Sequence, residues 1–391
     1  MAKRRLRILH VGSEIRHELG CAASLIMQGY EVLYVHLGTT YEPLLEKTVF
    51  IDSGVVRVPM IQTTHTSSLV HAILSSKKLI PTIIEKECFD IAIVTPSIPF
   101  YIAYYIARKS NIPLILRVWG IRANKLVDHI IYGKNYLELL NFYPSILHSL
   151  MQIWSSQALV VLDDSTAKFL RRLPLFKKLN VIYPTYAALY NNDGYISPRV
   201  RELAENEDYV FSFVTMSKTG SVFRLEQMLF RILYLIAKKY PEINVIIAGG
   251  TVEEARKKFG LKLLPKNLLF AGRGLSDDEL RVLYRHARLV VIPIFFRSVS
   301  NRLLEALFYG KPILTNSIAK LLHNKLKHLY HIFILNNYLE YPNIVRKLLK
   351  DDILLEDLAW GAKEAYSSFF SARKCGLAMK HIIESIESVV R

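Results

Sequence analysis

Short apolar runs alternate with amphipathic stretches along this chain, and the alternation stops once and then restarts. Residues 7–11, 31–35, 91–95, 114–118, 158–162 and 181–183 read as strands, the first turning at Gly12-Ser13 into a helix that reaches about Met27. Between Asn191 and Asp208 the sequence turns polar, with Asn191-Asn192-Asp193-Gly194 and Ser197-Pro198, which marks a boundary. Residues 209–214 resume the pattern, and strands follow at 245–250, 267–270 and 289–293. A helix over 222–239 shows Leu225, Met228, Leu229, Ile232, Leu235 and Ile236 on one face. Ser276 to Glu279 has capping-box spacing for a helix through Ala287, and residues 354–390 are helical in pattern. The expected fold is α/β, two doubly wound domains facing a cleft, with ligands outside the carboxyl ends of the strands. The expected segments are 1–195, 208–368 and a terminal helical piece, 369–391.

Composition narrows the class. A chain of 391 residues supplies two cores, and 51% hydrophobic with 22% charged residues excludes a disordered protein. No apolar run approaches the roughly 18 residues of a transmembrane helix. The basic amino terminus precedes an apolar run too short for a signal peptide and reads as a first buried strand, so a cytoplasmic location is expected. Cys21, Cys88 and Cys375 are too scattered for a disulfide framework or a zinc site. The net charge of +17 has three readings: a solvated basic surface, an anionic membrane face, or nucleic acid. The membrane reading, a peripheral one on the inner face, draws on Lys168 to Lys178, where cations interleave with Phe169, Leu170, Leu173, Leu175 and Phe176. No nucleic-acid partner is expected, because no finger, recognition arm or ribonucleoprotein signature is present.

The chemistry concentrates in residues 300–315. Ser300 or Asn301 can cap a helix, Glu305 falls about one turn in, and Gly310-Lys311-Pro312 stops it before an apolar strand. A helix start offers free N–H groups and partial positive charge to a phosphate or diphosphate. A carboxylate one turn behind could accept hydrogen bonds from a sugar diol. The layout suggests a nucleotide-diphosphate ligand.

Glu305-Ala306, Gly310-Lys311-Pro312-Ile313 and Thr315 resemble the signature of the retaining GT-B glycosyltransferases of family 4, the group 1 glycosyl transferases. That resemblance implies two Rossmann-like domains, an acceptor-side one first and a donor domain second, with the last helix crossing back onto the first. It places a ribose-binding role on Glu305 and gives the diphosphate to the turn at Ser300, Asn301 and Arg302. The family's first glutamate, which contacts the transferred sugar, falls on Arg297 here. An arginine there could grip a phosphate or an acidic sugar, or mark an altered activity. Lys218 and Arg224 match the region whose cations balance the leaving diphosphate, and both could equally be solvated cations at a helix start. With Arg297 they are the candidate catalytic residues. Gly272 and Arg273 match the segment that reads the nucleotide base, or are a plain loop. Gly12 and Ser13 match a loop that approaches the diphosphate, or are a turn. A family histidine is replaced at Trp119-Gly120, where Trp119 could stack on a sugar or be core. Arg117 and Arg122 could receive an anionic acceptor, or line a solvated rim.

No Asp-x-Asp metal motif is seen, so a metal-independent site without cofactor is expected, and Asp163-Asp164 reads as lying before a helix capped by Ser165 or Thr166. The resemblance implies transfer from a nucleotide-diphosphate sugar to a carbohydrate or lipid-linked acceptor in glycan biosynthesis, with retained configuration. The alternative is a catalytically silent relative that binds sugar or nucleotide, or serves in assembly.

Overall fold

The structure is a computed structural model, and it describes residues 5–12, 15–38, 42–52, 54–64, 88–96, 98–118, 148–172, 179–189, 194–206, 208–215, 220–261, 263–295 and 300–390. The chain divides into two compact units: Met1–Ile130, Lys134–Leu189 and Phe370–Arg391 form unit 1, and Ile131–Gly133 with Tyr190–Phe369 form unit 2.

Unit 1 is built on strands β1 (Arg7–Gly12), β2 (Glu31–Gly38), β3 (Glu42–Ile51), β4 (Gly54–Thr64), β5 (Ile91–Val94), β6 (Leu114–Val118), β7 (Ala158–Val161), β8 (Leu179–Val181) and β9 (Ala188–Leu189). They order as β8-β7-β6-β5-β1-β2-β4-β3-β9. The run from β8 to β4 is parallel, while β3 is antiparallel to both β4 and β9. The helices are α1 (Ile15–Met27), α2 (Ile98–Ser110), α3 (Asp164–Leu170) and the last of the chain, α12 (Ala372–Val390). Side chains alternate across a strand, so each central strand feeds two cores. Leu9, Val11, Val94, Leu116, Val118 and Val161 pack with residues of α2, α3 and the helical stretch 148–154. His10 and Arg117 point the other way, toward Glu18 of α1. Helix α12 packs on α1, and the Cys375 thiol meets that of Cys21.

Three sequence expectations change in these units. The hairpin β3–β4 occupies a region where the sequence shows no clear strand; its consecutive charged residues Glu46 and Lys47 interrupt the apolar pattern on both faces. The cap before α3 is Asp163, which accepts the Thr166 N–H at 2.7 Å, rather than Ser165 or Thr166. β8 ends at Val181 where the sequence suggests that a strand begins.

Unit 2 holds β10 (Tyr209–Phe213), β11 (Val245–Ala248), β12 (Leu268–Gly272), β13 (Ala287–Val291), β14 (Ile313–Thr315) and β15 (Phe333–Ile334), ordered β12-β11-β10-β13-β14-β15 and all parallel. Its helices are α4 (Pro198–Glu205), α5 (Gly220–Lys239), α6 (Val252–Phe259), α7 (Asp277–His286), α8 (Asn301–Phe308), α9 (Ser317–Leu322), α10 (Tyr341–Leu349) and α11 (Asp352–Ala365). Helix α4 lies inside the polar stretch that reads as a boundary. It belongs to this unit because it buries Val200, Leu203 and Ala204, while Ser197 gives its N–H to Glu279 at 3.1 Å. The capping box of Ser276 and Glu279 opens α7, and the strand β13 starts at Ala287.

Helix α5 keeps most of the face that the sequence suggests, with Met228 packed against the core, and adds Phe230, Leu233 and Ala237 to it. Leu229, Phe230, Ile232, Leu233, Ile236 and Ala237 are buried, whereas Leu235 is exposed. Four of these large apolar groups, at about 2 kcal/mol each, outweigh the cost of one acid carried into the same stripe. That acid is Glu226, which precedes Leu229, Phe230 and Leu233 by three, four and seven positions.

Candidate functional site

The unit 2 sheet reverses its strand order beside β10: β11 and β12 build outward on one side, β13, β14 and β15 on the other. Ligands in such sheets bind at the carboxyl ends of the strands where the order reverses. Helices α5 and α8 follow β10 and β13 there, each with N–H groups that its own helix leaves unused.

Ser300 opens α8, and its hydroxyl accepts the Leu303 N–H at 3.4 Å; Asn301 is the first helical residue. The helix stops at Tyr309, and Gly310 takes the left-handed φ of 61° that a glycine adopts without strain. The strand before it is braced from β14. Thr315 donates to the Ile292 carbonyl at 2.7 Å, and the Asn316 amide both donates to the Ile294 carbonyl at 2.7 Å and accepts its N–H at 3.2 Å. Glu305 is 4% exposed and accepts the Tyr284 hydroxyl at 3.0 Å. Burial, and then the Glu305 charge, push the Tyr284 phenol well above its ordinary range, so it stays protonated and donates. Tyr284 is itself fixed by stacking on Tyr309 and by an edge contact with Phe211. A rigid aromatic wall therefore orients the Glu305 carboxylate.

Arg302 does not have the free guanidinium expected of a phosphate ligand. It donates to the Glu226 carboxylate at 2.9 Å and to the Thr215 hydroxyl at 2.8 Å, and lies 5.1 Å from the Phe213 ring centroid. Glu226 also accepts the Thr215 N–H at 2.8 Å. The end of β10, helix α5 and the first turn of α8 are thus tied through one ion pair. Neither Glu226 nor Thr215 stands out in the sequence; the signal that could have found Glu226 is an acid on a buried helical stripe. Gly272 ends β12, with its carbonyl accepting the Gly249 N–H at 2.8 Å, and Arg273 pairs with Glu254 at the surface. Arg224 lies on α5 with its side chain outside the described residues, and Lys218 and Arg297 lie outside them altogether.

Unit 1 corrects two expectations. Arg117 is neither an acceptor ligand nor a rim cation: it is 1% exposed on β6 and donates to the fully buried Glu18. His10 sits on the same Glu18 oxygen at 2.6 Å, and burial lowers its pKa against the raising effect of Glu18. An arginine in a central strand has no route to solvent, so it needs an acid from the helix above. Gly12 has a reason of its own. A Cβ there would stand 2.9 Å from the Glu18 Cγ and 3.1 Å from the Tyr34 hydroxyl, so the missing side chain makes room for Glu18. Ser13, Trp119 and Arg122 lie outside the described residues.

Two doubly wound units, the second all parallel and the first parallel from β8 to β4, with a last helix returning to the first, give the GT-B fold. Residues 219–351 match the family model described as glycosyl transferases group 1. No curated protein sequence matches the chain. Solved structures share its fold along nearly the whole length. HepE of Anabaena, in complex with UDP and glucose, aligns with a TM-score of 0.66 at 14% identity, covering 97% of this chain and 100% of its own. Sucrose-phosphate synthase from Thermosynechococcus elongatus gives 0.67 at 12% identity, over 98% and 100%. The E. coli trehalose-6-phosphate structure bound with UDP-2-fluoro glucose gives 0.62 at 13% identity, over 97% and 98%.

Proposed function

We propose that the chain is a glycosyltransferase that takes a sugar from a uridine-diphosphate sugar, retains its configuration, needs no metal, and passes it to a carbohydrate or lipid-linked acceptor. The observation that carries this reading is Glu305, a buried carboxylate held by Tyr284 just behind the Ser300-capped start of α8. In this reading Glu305 holds the ribose diol and the first N–H groups of α8 hold the diphosphate. Lys218, Arg224 and Arg297 supply the charge that stabilises the departing nucleoside diphosphate. The uridine preference draws on HepE and the trehalose-6-phosphate structure, both solved with uridine nucleotides.

The test is UDP titration by calorimetry together with UDP release from a panel of nucleotide sugars. Glu305→Ala should weaken UDP binding roughly 10- to 100-fold, since a charged hydrogen bond contributes about 1.5–3 kcal/mol. UDP binding at full strength in that variant would remove Glu305 from the site. Binding without release from any donor would favour the silent relative.

A further inference from the structure

The outer face of the helical layer that covers one side of the unit 1 sheet has a composition unlike the rest of the surface. Helix α2, the helical residues 148–154 and α3 share one core, with Phe100, Ile106, Ile153, Ala167 and Leu170 pointing inward. They lie side by side: α2 packs over β5 and β1, Tyr101 stacks on His148 at 5.0 Å, and α3 packs on β7 and β8. With those inward residues satisfied, the outward ones have no structural reason to be apolar. Yet Met151 is 61% exposed, Trp154 58%, Tyr105 49% and Phe169 36%.

Among the described residues of this layer, the exposed charges are all of one sign. Arg108 and Lys109 end α2, and Lys168, Arg171 and Arg172 line the end of α3, all exposed. The two carboxylates on these described helices are both engaged. Asp163 is buried, capping α3 through Thr166, and Asp164 accepts the Tyr183 hydroxyl. A solvated surface helix mixes acids and bases; this layer pairs amphipathic aromatics with cations and exposes no free acid.

We propose that this face, formed by α2, residues 148–154 and α3, docks on an anionic lipid bilayer. Trp and Tyr suit the headgroup region, where an apolar ring meets a wet edge. Each nearby Lys or Arg adds roughly 1 kcal/mol of attraction to an anionic surface. Five such cations with four apolar anchors give the two signals, electrostatic and apolar, that stable attachment takes. The sequence alone suggested 168–178 as the membrane element; of that stretch Lys168 to Arg172 belong to this face and 173–178 lie outside the described residues. The inference uses unit 1 alone and stands apart from donor chemistry: loss of UDP binding in Glu305→Ala would leave it untouched.

The experiment is co-sedimentation of the full chain with phosphatidylcholine vesicles containing about 30% phosphatidylglycerol, beside pure phosphatidylcholine. Wild type should pellet with the anionic vesicles only, and binding should fall at least tenfold between low and high salt. Lys168→Glu/Arg171→Glu/Arg172→Glu and Met151→Ser/Trp154→Ser should each lose binding while keeping the wild-type circular dichroism and melting temperature. Tryptophan emission should shift to the blue on adding vesicles, and Trp154→Phe should remove that shift. Equal binding to neutral vesicles, retained binding in the triple charge reversal, or binding to RNA but not to vesicles would each overturn the proposal.

Discussion

The Asp52 carboxylate accepts the main-chain N–H of Ala372 at 2.9 Å and that of Arg373 at 3.1 Å, so the turn of the β3–β4 hairpin caps the last helix of the chain. The two residues are 320 positions apart. Asp52 also adopts a left-handed φ of 50°, which asparagine, aspartate and glycine tolerate better than other residues. One side chain therefore both shapes the hairpin turn and satisfies the start of α12.

Substitution separates these two roles. Asp52→Gly keeps the backbone comfortable and loses only the cap, at about 1 kcal/mol. Asp52→Ala adds the strain of a left-handed alanine, roughly 1 kcal/mol more. Urea unfolding should rank wild type above Asp52→Gly above Asp52→Ala. A glycine variant as stable as wild type would show that the cap contributes nothing.

How legible all this was depends on where each element sits. Strands β5, β7 and β11 are buried on both faces and show in the sequence as unbroken apolar runs, while β1, β6 and β10 keep the same reading with one buried polar residue each, His10, Arg117 and Ser212. The hairpin β3–β4 does not, since Glu46 and Arg57 meet on its exposed face while Lys47 stands on the face of the buried Val49 and Ile51 and breaks the alternation. Its Asp52-Ser53-Gly54 turn was the available signal. In the candidate site, the start of α8 at Ser300 and its stop at Gly310 follow from local rules of capping and turn. Glu226 and Glu18 do not, because an acid on a buried helical stripe has meaning only once its arginine is found on another element.

The ion pair of Glu226 with Arg302 should set the geometry of the switch point rather than contact the donor's phosphates. Arg302→Lys keeps the charge but cannot serve both Glu226 and Thr215 from one planar fork. Arg302→Lys and Glu226→Gln should therefore reduce UDP affinity to a similar degree, on the order of tenfold, and the double variant should lose little more than either single one. Strictly additive losses in a double-mutant cycle would mean that the two residues act separately.

Arg117 should matter for folding. Cutting it to methionine leaves Glu18 buried with His10 alone, at a cost of about 3–5 kcal/mol. Glu18→Gln/Arg117→Met removes both charges and should recover part of the loss. The denaturation midpoints of the three variants read this directly. If Arg117→Met folded as stably as wild type and instead raised the acceptor KM, the acceptor role would be restored.

His323 supplies a pH prediction. It ends α9 fully buried, and burial lowers its pKa from 6.5 to about 3. The folded chain thus keeps this imidazole neutral, while the unfolded chain takes up a proton once the pH drops below about 6.5. The unfolded state then binds more protons, so stability from this group is complete above pH 6.5 and is lost as the pH falls toward 3. The slope is at most about 1.4 kcal/mol per pH unit. Asp163, raised to about 6 by burial, has the opposite sign between 3.8 and 6, but it is common to both proteins in a comparison with His323→Gln. Urea titrations at pH 7, 6 and 5 should show wild type losing stability faster than the variant. Parallel acid limbs would mean that the buried ring is protonated in the folded protein as readily as in the unfolded one.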